Sequence, residues 1–211
     1  MKKLFSILFM LCLCLSAKAQ SSCPDNNHPH TIDLGLPSGT LWACCNLSAS
    51  KPKEYGGYYA WGETEEKDFY YLSSYTHCDG SDDTFHDIGD DIAGTIYDVA
   101  FTKGGSSWRM PSIDQLKELL DNCILTWISQ NGVKGINVTG PNDCKLFLPA
   151  AGIRDNSHHL LLEGEEGWYW SSTFNKCNKT CAFLFRFNSR NKKCSYIGRF
   201  CGLPVRPVVS P

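Results

Sequence analysis

Apolar and polar positions alternate along this chain in two distinct rhythms. The clearest helical stretch is PSIDQLKELLDNC: Ile113, Leu116, Leu119 and Leu120 fall on one face while Lys117, Glu118 and Asp121 stay off it. Ser112 followed three residues later by Gln115 forms a capping box, which fixes the start of that helix. AGTIYDVAFTKGG predicts a second helix, with Ile96, Val99 and Ala100 at helical spacing and Gly104-Gly105 as its stop. Elsewhere the spacing is that of short strands. TIDLGLPSGTLWACCN reads as two strands around a Pro-Ser-Gly turn, and GGYYAWGE as a short aromatic strand. Asn131-Gly132 between apolar runs in LTWISQNGVKGINVTGP is a hairpin signal. CKLFLPAAGIR, GWYWSST, CAFLFRFNS, CSYIGRF and LPVRPVV follow as strands separated by Gly, Asn and Ser. Residues 77–91 read as an acid-rich loop. The expected class is α+β, two helices first and a β-rich C-terminal half, in one domain over residues 33–211.

The first residues change the compartment. Lys2 and Lys3, an apolar run from Leu4 to Leu15, and Ala17-Lys18-Ala19 have the form of a secretory signal over residues 1–19. The run is too short for a membrane span, which takes roughly 20 apolar residues. The expected location is therefore secreted or cell-surface, with the periplasm as the other exported compartment and no transmembrane segment. Residues 20–32 read as a flexible leader. Of 12 cysteines, Cys12 and Cys14 belong to the signal. The ten that remain, in an exported chain, favour disulfides of unassigned connectivity. Cys44 and Cys45, if extended, point to opposite sides and serve different partners.

Charge then separates the two ends. Without Lys2, Lys3 and Lys18, 17 basic side chains stand against 22 acidic ones, a net −5. Residues 168–211 hold Lys176, Lys179, Arg186, Arg190, Lys192, Lys193, Arg199 and Arg206 and no Asp or Glu. Such an end either docks on the acidic body or presents a cationic ligand surface. An exported, acidic chain argues against nucleic acid as a partner.

DLGLPSGTLWA, YGGYYAWGET, AGTIYDVA, SWRMPS, LFLPAAGIR, WYWSS and GLPVRPV, in this order, resemble the Fibrobacter succinogenes major paralogous domain. That family is similar to C-type-lectin-like folds, in the branch shared with formylglycine-generating enzymes and retroelement variable proteins. The resemblance implies two helices packed on small antiparallel sheets, with C-terminal strands presenting a ligand face at about residues 174–203. The residues assigned to it are Phe174, Asn175, Cys177, Asn178, Arg186, Arg190, Lys192, Ser195, Ile197, Arg199 and Phe200, facing a protein or glycan on a cell or phage surface. It further implies that Cys177, Cys181, Cys194, Ser195, Ile197, Phe200 and Cys201 are products of adenine mutagenesis at Asn codons. The other reading of this segment is an ordinary paralogue with paired cysteines. A structural surface or pilus-tip component is the alternative function.

Catalytic chemistry finds little footing. The copper-binding cysteine pair of the formylglycine-generating relatives is separated by four residues, whereas Cys177 and Cys181 are separated by three. Asp79, Asp82, Asp83, Asp87 and Asp90 lack calcium-loop spacing. His77, His86, His158 and His159 lack zinc spacing. No Ser-His-Asp set or phosphate-binding glycine loop is present. The expectation is a non-enzymatic binding domain with no cofactor and no metal. Trp168 and Trp170 share one strand face, Tyr169 takes the other, and Trp42, Trp61, Trp108 and Trp127 belong to the core. Arg206, between Val205 and Pro207, reads as structural.

Overall fold

The computed structural model describes residues 28–155 and 159–211; the signal, most of the leader and His158 lie outside them. Three three-stranded antiparallel sheets and two α-helices make up the fold. The first sheet joins β1 (Thr31–Asp33), β2 (Leu41–Ala43) and β9 (Val208–Val209), so the described start of the chain is tied to its end. Thr31 and Ile32, assigned to the leader, pair with Ala43 and Trp42 and are part of the fold. α1 (Val99–Gly104) and α2 (Ile113–Asn122) follow. The second sheet is β3 (Ile124–Gln130), β4 (Val133–Thr139) and β5 (Lys145–Pro149). The third is β6 (Glu166–Phe174), β7 (Cys181–Asn188) and β8 (Lys192–Gly198).

The local signals explain where most of these elements lie. In α2 the Ser112 side chain accepts from Gln115 N–H while the Gln115 side chain accepts from Ser112 N–H, and Ile113, Leu116 and Leu119 are buried. Asn131 and Gly132 both adopt positive φ, 52° and 84°, the conformation that closes a tight hairpin between β3 and β4. α1 begins later than its periodicity suggests. Asp98 accepts from Ala100 and Phe101 N–H as N-cap, so Ile96 stays outside the helix at 72% exposure. One expected strand is absent and another is cut to two residues. GGYYAWGE is largely buried and turns at Trp61-Gly62, and its backbone meets the rest of the chain through a Gly57 N–H to Leu47 carbonyl bond, an isolated Tyr59–Leu203 bridge and a Trp61 N–H to Arg199 carbonyl bond. In LPVRPVV only Val208–Val209 forms a ladder, because Pro204 and Pro207 have no N–H to donate.

The third sheet is the middle layer. Tyr169, Phe185 and Phe187 enter a cluster with α2, Trp42 and the inner faces of β4 and β5. Trp168, Trp170, Ala182 and Leu184 enter a second cluster with Trp61, Val99, Met110 and Leu203. Both faces of β6 are therefore buried. Trp42 and Trp61 are fully enclosed, while Trp108 and Trp127 pack against the clusters from the edge. Arg206 is buried as expected. Its guanidinium donates to Asn46 Oδ1 at 2.8 Å, to the Ala43 and Cys44 carbonyls at 3.1 and 3.0 Å, and to the Phe147 carbonyl at 3.0 Å. No helix among the described residues is long and apolar enough to cross a membrane.

Candidate functional site

The C-terminal segment is built on β7 and β8, with β8 at the outer edge of the third sheet. Side chains alternate across the sheet, so this strand splits its residues between two environments. Cys194 and Phe183 turn towards the α2 cluster, and Ile197 towards the other. Lys193 and Tyr196 are exposed, Tyr196 at 57%, with its ring edge-on to Phe183 at 6.4 Å.

The structure divides the expected ligand residues into three groups. Cys177, Asn178 and Arg190 are exposed, and Lys192, Ser195, Ile197 and Phe200 are half-buried. Phe174 is half-buried against Trp61, with ring centroids 6.1 Å apart. Arg186 is half-buried and neutralised, because it holds Glu166 through two 2.8 Å bonds and stacks on Trp168 at 4.2 Å. Asn175 and Arg199 are buried and do not reach a ligand face. Asn175 is buried because its Oδ1 caps the turn at Cys177 N–H. Arg199 lies in a cage of Trp61, Phe85, Tyr75 and Phe174 rings at 4.9 to 5.7 Å and donates to Tyr75 Oη at 3.0 Å.

The basic end docks in part on the acidic body. Lys176 pairs with Asp90 at 2.7 Å, and Lys179 reaches the Asp83 carbonyl at 3.0 Å and its carboxylate at 3.9 Å. Arg190, Lys192 and Lys193 differ. Arg190 stands on the β7–β8 turn, Lys192 lies on the Cys194 face of β8 and Lys193 on the Ile197 face, and none has an acidic partner among the described residues. The carboxylates of the 77–91 loop do not converge. Asp79 faces His86 at 3.1 Å, Asp83 and Asp90 face the lysines, and Asp87 caps Gly89.

Asparagines here have a local use. Asn178 Oδ1 accepts from Thr180 N–H, and Asn188 Oδ1 accepts from the N–H groups of Arg190 and Asn191. These side chains shape the turns on which the cationic groups sit. The cysteines of the segment are dispersed in burial: Cys177 exposed, Cys194 half-buried, Cys181 and Cys201 buried. No disulfide links the nine described cysteines.

Glu166 gives the site a measurable pH response. Burial alone raises its pKa, but hydrogen bonds from Arg186 and Asn188, the Arg186 charge and the Trp168 indole N–H outweigh it and hold the carboxyl below the usual range. A depressed folded pKa contributes stability above the unfolded value, near about 4.3, which is lost as pH falls through the folded value. Denaturant midpoints of the parent should therefore fall more steeply between neutral pH and pH 3 than those of Glu166→Gln. Parallel curves would show that the pair contributes nothing.

A second constellation lies at the opposite end of the sequence. His28 Nδ1, Cys44 Sγ and Cys45 Sγ all lie within 4.8 Å of one another. Adjacent cysteines on a strand would diverge, but β2 stops at Ala43 and the chain bends at Cys44-Cys45, so both thiols turn to one side. The bend brings both thiols near His28, while their hydrogen-bond partners differ, His28 and His30 for Cys44 and the Ala49 carbonyl for Cys45. No spacing motif announces this cluster; the signal available was the Cys-Cys pair at a strand end facing a histidine-bearing leader. No family model, curated protein or solved structure matches the chain.

Proposed function

We propose that the protein is an exported binding domain that holds an anionic protein or glycan of a cell or phage surface on the β7–β8 hairpin. The observation that carries this reading is that Arg190, Lys192 and Lys193, on the turn and the two faces of the edge strand, lack acidic partners among the described residues, whereas exposed Lys176 and Lys179 are ion-paired. Tyr196, exposed on the same edge strand, adds a flat surface for stacking against a sugar ring or a partner side chain. β8 has no outer strand partner among the described residues, so its backbone groups are open to a ligand. Likeness to C-type-lectin-like domains of the Fibrobacter succinogenes major paralogous type, and export by the N-terminal signal, accord with this reading and remain part of the proposal. Its site is smaller than the sequence suggests: Arg190 on the turn and the open edge of β8, with Lys192 and Tyr196 on one face and Lys193 and Ser195 on the other, without Arg199 or Asn175.

Retention on an immobilised sulfated glycan, read against salt, tests it. Reversing Arg190, Lys192 and Lys193 to Glu is expected to lower affinity by about tenfold or more at low salt, an effect that screening removes. Reversing Lys176 and Lys179, whose charges are already matched by Asp90 and Asp83, is the control and should change retention far less. Equal losses from both sets would mean that net charge alone binds the matrix. An acidic protein surface as probe, with the same variants, separates the glycan from the protein ligand.

A further inference from the structure

We infer that His28, Cys44 and Cys45 form a binding site for a borderline-soft metal ion of the zinc class. This inference is independent of the hairpin reading, since it uses the other end of the sequence. Zinc takes thiolate sulfur at about 2.3 Å and imidazole nitrogen at about 2.0 Å in a tetrahedron, which places neighbouring ligand atoms roughly 3.5 to 4 Å apart. The three atoms observed here are within 4.8 Å of one another, and His28 Nδ1 is 3.1 Å from Cys44 Sγ. Side-chain adjustments of less than an ångström or so therefore bring all three onto one ion. Among the described residues this is the one cluster of His, Cys, Asp and Glu with such convergence.

The surroundings fit metal ligation in three ways. The Cys44 backbone is held on both sides, its N–H donating to the His30 carbonyl at 2.9 Å and its carbonyl accepting from Arg206 at 3.0 Å. His30 acts from outside the ligand set: its N–H donates to Cys44 Sγ at 3.4 Å, and its ring stacks on His28 at 5.5 Å, which orients the imidazole. Cys45 Sγ faces the Ala49 carbonyl at 3.4 Å and lines a cleft of about 250 Å³ together with Pro29, Ser48, Lys103, Trp108 and Pro207. Two thiolates with one imidazole select zinc-class ions over calcium or magnesium, which take oxygen.

The test is a titration of the reduced protein with Zn(II) against a chromophoric chelator, paired with Co(II) substitution read by absorbance. A single equivalent should bind, and the Co(II) form should show a thiolate charge-transfer band. His28→Ala, a change at a half-buried position, is expected to weaken binding by at least about tenfold. Cys45→Ser should abolish the charge-transfer intensity of one thiolate. Cys144→Ser and Cys177→Ser, at exposed thiols, should leave both readouts unchanged. Failure to bind, binding unaffected by His28→Ala and Cys45→Ser, or a Cys44 or Cys45 disulfide found by mass spectrometry in the exported protein would each overturn the assignment.

Discussion

Replacing Arg206 by methionine is expected to destabilise the protein by about 4 kcal/mol, because several buried acceptors lose their donor together. The side chain is 1% exposed and ties three parts of the fold. Its donors reach Asn46, the carbonyls of Ala43 and Cys44 after β2, and the Phe147 carbonyl in β5. Asn46 in turn donates to the Tyr55 carbonyl and to Tyr169 Oη, and Tyr169 donates to the Pro149 carbonyl at 2.7 Å. Burial pushes the Tyr169 phenol up to about 12, so it remains a donor across the working pH range. A methionine fills much of the volume but satisfies none of the acceptors. Lysine retains the charge on a single ammonium and cannot span Asn46, the Ala43–Cys44 turn and Phe147 at once, so Arg206→Lys should recover less than half of the loss. Guanidinium unfolding with unchanged m-values is the measurement. A loss below about 1 kcal/mol for the methionine variant would be that of an ordinary exposed side chain and would contradict the network.

Such a loss is a large share of the about 5–15 kcal/mol that holds a domain together. It would also reach the metal cluster, because the Cys44 carbonyl is one of the acceptors. Zinc affinity of Arg206→Lys, which keeps a cation at this position, should therefore fall less than its stability does.

The elements legible in the sequence are those whose determinants are local. The Ser112–Gln115 box and the Ile113, Leu116, Leu119 stripe specify α2 without help from the rest of the chain. Asn131-Gly132 specifies the β3–β4 turn because only a few residue types accept positive φ there. Alternation in CAFLFRFN places β7, though it is buried on both faces. What the sequence does not disclose depends on distant partners. GGYYAWGE has the composition of a strand, yet its neighbours Leu203 and Arg199 offer single bridges rather than a ladder. Thr31 and Ile32 follow a polar stretch that looks unstructured, and they become a strand only because Leu41–Ala43 supplies the partner. The candidate sites show the same division. Arg190, between Ser189 and Asn191, and Arg199, between Gly198 and Phe200, both flank β8, and the aromatic rings that bury Arg199 come mostly from distant parts of the chain. Cys44 and Cys45 converge through a bend that no periodicity encodes.

Arg199→Met is the second large expected effect, and it separates a structural arginine from a ligand-binding one. The guanidinium is 1% exposed and ringed by Trp61, Tyr75, Phe85 and Phe174. It donates to Tyr75 Oη at 3.0 Å, to the His86 carbonyl at 3.1 Å and to the Lys179 carbonyl at 3.4 Å. Its backbone continues the same junction, with N–H to the Thr180 carbonyl and carbonyl to Trp61 N–H, both at 2.8 Å. One side chain thus fastens the acidic 77–91 loop and the turn before β7 to the aromatic core. A desolvated cation–π contact is worth about 2 kcal/mol and a hydrogen bond to a charged group about 1.5–3, against which stands the cost of burying the charge. Arg199 Nη2 has no hydrogen-bond partner among the described residues, so part of that cost is uncompensated there. The expected net loss is about 2–3 kcal/mol, smaller than for Arg206→Met, whose donors are better matched. Cleavage within residues 79–90 by a protease specific for acidic residues should become faster, since the His86 anchor is gone. Binding of an anionic ligand, measured on the folded fraction, should stay within about twofold, because rim charges set such binding and this charge is interior. A variant that kept its stability and its protease resistance but lost ligand would return Arg199 to the binding face; the enclosing rings and the three donated bonds argue for the opposite result.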